Sequence, residues 1–430
     1  MTLTAVKAIN CTSCGAGLDV LGGGRVTTHI CPYCGTELDA TDNYRALKRF
    51  NDTARPKTPF PIGTQGTIHG VDYTVIGLLE QVERWAGRTY AWLDHQLYSP
   101  THGYAWLTLD QGHCTFSRRH RGSVWISKHQ AARAEHRPVV WDAGEKFRYY
   151  ETSTHEVHYA EGEFSWRPSR KDRTTTVSAM SDTRMLSFSA TGTEREVEQT
   201  FFLSAEDIVK GFGFDPGLKP DWVHPLEPHK SGKNTGFQMY ASIAYALVCL
   251  IVAGVIAGAP VRHVLPTLEA GRPDLPLEAS LPGVKAGELV RVNLAGNGIN
   301  TWSELELEVS DPDDELLFST IRAVERYNGR DSEGSWSEGS NRARATFRAP
   351  FDGDYSLSVA LDGDGDWRSS GGSSPTAWTS LRISATAGHK TWGWMIWAAL
   401  LFGLMGGWPL WRAWRHNRLR WRGSDWEDDD

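Results

Sequence analysis

Two long apolar runs break a chain that otherwise alternates short apolar and polar stretches. The first, Phe237 to Ala259, and the second, Thr391 to Trp411, contain no charged residue. At about 1.5 Å of rise per residue, either run covers the roughly 30 Å hydrocarbon core of a bilayer. Trp392, Trp394, Trp408 and Trp411 sit at both ends of the second run, where indoles anchor a helix at the headgroup level. The pattern therefore predicts transmembrane helices over 237–259 and 391–411.

Elsewhere the period is two. In 56–215, runs such as Tyr73–Leu79, Tyr90–Leu97, Tyr104–Asp110, Arg184–Ala190 and Val197–Leu203 alternate between Gly-bearing turns. They predict a compact antiparallel β-domain, a barrel or a pair of sheets. Ser204 with Asp207 predicts the N-cap of a short helix containing Ile208. Ahead of this domain, Ala54–Pro61 reads as a linker and Tyr44–Phe50 as a short helix. Between the spans, 262–390 carries the strand-like runs Leu289–Leu294, Leu305–Val309, Ala343–Phe347, Tyr355–Ala360 and Ser380–Ile383, with a tight turn at Phe351–Tyr355. That spacing predicts a β-sandwich. The expected fold class is thus multidomain and mainly β: an N-terminal zinc ribbon, a β-domain, and two transmembrane helices flanking a β-sandwich.

The ribbon, 8–40, rests on four cysteines. Cys11 and Cys14 form one C-x-x-C pair, Cys31 and Cys34 another, and Gly15 and Gly35 follow each pair where the chain must turn around a metal. Four thiolates complete a tetrahedral ion and leave no open position, so the expected cofactor is a structural zinc held by Cys11, Cys14, Cys31 and Cys34. Iron or a pair of disulfides are the alternatives.

Charge sets the orientation. Arg412, Arg415, Arg418, Arg420 and Arg422 follow the second span, and the positive-inside rule assigns 412–430, a basic then acidic tail, to the cytoplasm. With two spans the N-terminus is then cytoplasmic and 262–390 extracytoplasmic; Lys230 and Lys233 agree, whereas Arg262 and Arg272 oppose. No long apolar stretch opens the chain, so no signal peptide is expected. The presumed outer segment has no cysteine, and the metal motif falls on the reducing side. A net charge of −7 and the mixed charges of the ribbon argue against a nucleic-acid partner.

Small residues at Gly254 and Gly258, and at Gly403 and Gly407, give each span a G-x-x-x-G face, too far apart in depth to meet in an antiparallel hairpin. A protein partner or a second copy is expected there. Other candidates are weaker. Asp362, Asp364 and Asp366 start like a calcium loop, but Trp367 and Ser373 stand where the loop needs Gly and Glu. His155 and His158 lack the H-E-x-x-H spacing and read as a solvated strand. Arg118–Arg121, with Lys128, Arg133 and Arg137, reads as a solvated loop or as a patch facing anionic lipid headgroups or an acidic partner. Cys114 is a lone thiol beside His113.

The ribbon, the G-x-x-G-x-I start at Gly63–Ile68, the Trp106-Leu107 pair and the E-G-E-F-x-W run at Glu161–Trp166 together resemble bacterial DUF4178 proteins. The resemblance, in a family whose genes often stand with membrane-stress and polyamine-related genes, implies envelope biology without an activity and brings no catalytic residues. The expectation is a two-span inner-membrane sensor, adaptor or scaffold without enzymatic activity; the alternatives are a membrane-tethered enzyme with its site in the β-domain, and a channel accessory subunit.

Overall fold

The computed structural model describes residues 7–50, 53–368 and 374–426. Two compact units emerge, one formed by the chain up to Gly232 together with the segment from Pro409 onward, the other by Lys233–Trp408.

The first unit begins with a hairpin of β1 (Lys7–Asn10) and β2 (Gly17–Val20), followed by β3 (Thr28–Ile30), β4 (Thr36–Asp39) and β5 (Arg45–Arg49). The short helix expected at Tyr44–Phe50 is a strand. Cross-strand pairing of Leu38 with Ala46 and a 2.7 Å bond from the Phe50 N–H to the Gly35 carbonyl override local helix propensity, and Phe50 is buried. Then come β6 (Gln65–Ile68), β7 (Val71–Trp85), β8 (Arg88–Ser99), β9 (Gly103–Asp110) and β10 (His113–Arg119). After α1 (Lys128–Arg133) follow β11 (Val139–Asp142), β12 (Glu145–Phe164), β13 (Arg173–Met180), β14 (Arg184–Thr191), β15 (Glu194–Leu203) and α2 (Ala205–Phe212).

Strands β7 to β10 continue through β15, β14 and β13 to β12, which pairs back onto β7 and closes an antiparallel barrel. One long strand makes closure possible. β12 pairs with β13 over Arg148–Glu156, then with β7 over Val157–Gly162, and its last residues, Gly162–Phe164, pair with β3. Bulges between Tyr149 and Glu151 and between Val157 and Tyr159 turn the strand from one partner to the next. Because β3 carries β4 and β5, the turn that bears Cys31 and Cys34 shares one continuous sheet with the barrel, whereas the β1–β2 hairpin that bears Cys11 and Cys14 forms a separate two-stranded sheet.

Alternation then decides what faces where. The outer face holds two apolar clusters. One gathers Leu97, Leu107, Phe116 and Leu203 under Phe60 and Ile208 of α2; the other gathers Phe147, Val177 and Leu186 under Ile126 and Ala131 of α1. Ser204 caps α2 as expected, with a reciprocal capping box to Asp207. The opposite face, carrying Trp92, Asp94 and Gln96 on β8, lines the interior. His155 sits there too, its ring 5.2 Å from that of Trp92, so the solvated strand expected around His155 and His158 is half inside the barrel. Burial lowers the His155 pKa to about 4.

The second unit contains α3 (Thr235–Ala257), most of α4 (Gly393–Trp421), and a sandwich of a four- and a five-stranded sheet between Arg262 and His389. Val292, Leu307, Leu357 and Ile383 meet in its core, and the runs expected as strands fall within its strands, except that Ser380 precedes the strand Leu381–His389. At the expected turn, the Tyr355 hydroxyl accepts the Phe351 N–H at 3.0 Å and donates to its carbonyl at 2.8 Å. Asp362, Asp364 and Asp366 lie in the strand Gly353–Asp366, not in a loop that could wrap a calcium ion, and Asp364 pairs with Arg272. Ser373 lies outside the described residues.

Both helices are long and apolar enough to cross a membrane, with mean hydropathy 2.3 and 1.3 over their best windows. Most of their surface is uncovered within the structure: Leu250, Ile251 and Val255 on α3 and Leu400, Leu404 and Met405 on α4 are exposed. They meet at Tyr245 and Phe402, stacked at 5.5 Å, and at Gly406, where a Cβ would stand 3.0 Å from Ile243. Gly254, Gly403 and Gly407 face open space instead. The helix α4 also runs beyond the expected 391–411 span, so the basic part of the tail, Arg412–Arg420, is helical.

Candidate functional site

Cys11 and Cys14 follow β1, and Cys31 and Cys34 follow β3, so each pair sits in a tight turn between two strands. The turns are built alike. The Gly15 N–H bonds the Cys11 carbonyl at 2.8 Å and the Cys11 N–H bonds the Ala16 carbonyl at 2.8 Å; Gly35 with Cys31, and Cys31 with Thr36, repeat this at 2.9 and 3.0 Å. Gly15 and Gly35 take φ of 79° and 70°, which a side chain would strain.

The four sulfurs lie within 4.8 Å of one another, with Cys11 to Cys34 and Cys14 to Cys31 each 3.8 Å apart. Sulfurs bonded at about 2.3 Å to a tetrahedral ion would stand about 3.8 Å apart, whereas a disulfide needs about 2.05 Å. All four are free thiols, so the disulfide alternative fails and the donor set fits a metal ion. Burial pushes the Cys31 thiol up to about 12, while Cys34, despite its own burial, is brought to about 6 by its contacts with Thr36 and the neighbouring cysteines. A bound cation removes that asymmetry by stabilising every thiolate.

What holds this cluster against the barrel is the E-G-E-F run at the end of β12. The Glu163 carboxylate, 1% exposed, accepts the N–H groups of Leu21 and Gly22 and lies 3.6 Å from Nδ1 of His29. Glu161, fully buried, accepts two bonds from Arg55 and one from the Tyr159 hydroxyl at 2.8 Å. Phe164 packs with Ile30, Phe50 and Leu79, and its carbonyl accepts the Thr27 N–H at 2.9 Å. Arg167 reaches the buried Glu37 of β4. Gly162 is required by space: it has φ of 87°, and a Cβ there would lie 2.3 Å from the Ile76 carbonyl oxygen. The motif is a seam between the cysteine turns and the barrel.

A second seam joins the C-terminal end of α4 to the same barrel. Arg420, 8% exposed, donates to the carbonyls of Pro225 at 2.5 Å and Asp182 at 2.9 Å. Trp421 lies against Tyr150 and under the guanidiniums of Arg137 and Arg148, at 4.5 and 4.9 Å from its ring. Asp425 accepts the Tyr149 hydroxyl at 2.9 Å and the Thr152 N–H at 3.0 Å. Arg137, expected in a solvated or lipid-facing patch, instead holds Ser424 and Trp426.

Cys114 is on the outer face of β10, 2% exposed, its thiol pushed up to about 12 by burial. His113, the next residue of the strand, points the other way and bonds the Trp222 carbonyl at 2.9 Å. The pair makes no nucleophile. Sequence reasoning missed the interior carboxylates Asp94, Glu151 and Glu198, because a polar stripe on a strand reads as solvent-facing until closure puts it inside. It missed Arg420, Trp421 and Asp425 because their role appears only against Tyr149 and Tyr150.

No curated protein matches the chain. Solved structures overlap it loosely: an infectious bursal disease virus Gx strain structure at 8% identity and a TM-score of 0.16, covering 89% of this chain and 70% of that one. Particles derived from the same virus give 9% identity and 0.17, covering 86% and 72%. Carbohydrate-binding modules of the β-sandwich superfamily give 8% and 0.13, covering 57% and 86%. At such scores these likenesses carry no argument. Residues 61–204 match the family described as Domain of unknown function (DUF4178), so the segment from just before β6 to the cap of α2 is a DUF4178 domain.

Proposed function

We propose that the chain is a non-enzymatic sensor or adaptor of the bacterial inner membrane. In this reading a structural zinc ribbon and the DUF4178 barrel form one cytoplasmic module, the two apolar helices span the bilayer, and the sandwich lies outside. The all-sulfur donor set favours zinc over harder ions and leaves no coordination position for chemistry. The arginines after the second span favour a cytoplasmic C-terminus.

The observation that carries the reading is the docked end of α4. A helix that continues from an apolar span to Arg420 and Trp421, followed by Asp425, with Trp421 packed on Tyr150 and Asp425 bonded to Thr152, gives a displacement of the span a direct grip on β12. Nothing comparable supports an enzyme, since Cys114 is buried and protonated.

Trp421→Ala removes a half-buried aromatic face and two cation–π contacts, and is expected to weaken docking by about 2 kcal/mol. Hydrogen exchange at the amide of Thr152, bonded to Asp425, should speed up accordingly. Crosslinking of the intact chain in membranes should capture a defined partner, with the crosslink pattern altered in the Trp421→Ala chain. Failure to recover any partner from the wild type, or an identical pattern in the variant, would count against an adaptor that works through this contact.

A further inference from the structure

The arginines that follow the second apolar run do not share one role. Arg420 belongs to the seam with the barrel, bonded to the Pro225 and Asp182 carbonyls. Arg412, Arg415 and His416 stand at i, i+3 and i+4, with Leu419 at i+7, so they form one stripe of α4. That stripe faces the segment Glu227–Lys230, and the two walls flank a cleft of about 250 Å³. Both walls are fixed. The segment leaves the core at Leu226, which is 2% exposed and packed with Tyr150 and Met180, and its His229 meets His416 of the helix with ring centroids 5.2 Å apart. Arg418 and Arg422 do not line the cleft.

The cleft is cationic. Lys230, Arg412 and Arg415 line it against a single carboxylate, Glu227, which acts on His416. Among the described residues, Lys230, Arg412 and Arg415 make no ion pair, and the Arg415 guanidinium lies 5.4 Å over the Trp411 ring. Elsewhere in the same unit guanidiniums are matched: Arg55 with Glu161, Arg167 with Glu37, Arg184 with Glu145. Like charges gathered in one cleft repel, and an anion seated between them relieves the repulsion. The two imidazoles add one N–H donor each in either neutral tautomer. Loose basic residues after a span attract anionic lipid anywhere along the leaflet, whereas a stripe set against a facing wall gives the anion a defined position.

We propose that this cleft is a site for the headgroup phosphate of an anionic phospholipid. Arg412 and Arg415 would hold the phosphate oxygens through their paired N–H groups, with Lys230 as a third charge and His229 and His416 as further donors. Pro228 and Leu419, which also line the cleft, would meet the glycerol part. Position favours a lipid over a free phosphate. Arg412 directly follows the apolar run that ends at Trp411, and Arg415 stands about 6 Å beyond Trp411 at 1.5 Å per residue, the depth of the headgroups just outside the hydrocarbon core. The site rests on the membrane reading above and adds to it a lipid that holds α4 beside its docked end.

Two measurements separate the site from that reading. Flotation of the full chain with vesicles of phosphatidylcholine alone tests the membrane reading. Native mass spectrometry of the full chain in detergent, titrated with dihexanoyl phosphatidylglycerol, dihexanoyl phosphatidylcholine and inorganic phosphate, tests the site. The chain should float, and it should retain one phosphatidylglycerol saturably at concentrations that leave phosphatidylcholine and phosphate unbound. Arg412→Gln with Arg415→Gln, both exposed, should weaken that adduct about tenfold or more. Arg418→Gln with Arg422→Gln removes the same charge outside the cleft and should weaken it by about twofold at most. A chain that floats yet retains both lipids alike, inorganic phosphate bound as tightly as phosphatidylglycerol, or equal loss in the two double variants overturns the site and leaves the membrane reading standing. A chain that does not float overturns both.

Discussion

Replacing Cys31 and Cys34 by serine is expected to abolish metal binding and to destabilise the barrel as well as the cysteine turns. Loss of two of four thiolates leaves no tetrahedral site, and structural zinc contributes about 10–16 kcal/mol of apparent binding energy in zinc-finger peptides. The damage should spread because Cys31 directly follows β3, which pairs with β12 at Ile30 to Gly162. Once β3 frays, Glu163 faces water in place of the Leu21 and Gly22 amides, and Phe164 loses Ile30. The purified variant should contain no metal and should melt well below the wild type, while still fractionating with membranes. A variant with wild-type melting would mean that the turns and the barrel are energetically separate despite the shared sheet.

Gly162→Val should be nearly as severe. A branched side chain at φ of 87° is strained, and its Cβ would collide with the Ile76 carbonyl and crowd Gly77 on the paired strand. Backbone strain of about 1–3 kcal/mol and overpacking of about 1–3 kcal/mol act together. At roughly 4 kcal/mol this is a large share of the stability of an ordinary domain. Because Gly162 is where β12 pairs with both β7 and β3, the expected outcome is loss of both barrel closure and ribbon docking, seen as a low yield of folded protein and rapid exchange of β7 amides. Gly70→Val, at a positive φ but in open space beside a short hairpin, should cost less and serves as the comparison.

How much of this was legible in the sequence depends on whether the signal is local. The cysteine spacing, the two apolar helices and the Ser204 cap are local patterns, and each appears where it was expected. The sandwich strands were legible because their alternation faces one core. Closure was not. Nothing in the alternation of Trp92, Asp94 and Gln96 says that their face is enclosed, since that depends on β12 returning to β7. Tyr44–Phe50 misled because its strand character comes from pairing with β4, not from its own residues. The E-G-E-F run was noticed as a family mark, but its role needed partners such as Leu21 and Arg55 that lie far away in the chain. The tail after Arg412 was read only as charge, and its aromatic and acidic residues prove to be the docking groups.

The most direct test of the account is the sidedness of the two folded units. Glu194 and Ser332 are both exposed, one on the barrel and one in the sandwich, and each can be replaced by cysteine without entering a core. In spheroplasts, a maleimide that does not cross the membrane should label Ser332→Cys above the wild-type background, and should label Glu194→Cys only after permeabilisation. Labelling of both before permeabilisation, or of Glu194→Cys alone, would contradict a cytoplasmic barrel joined through two spans to an outer sandwich.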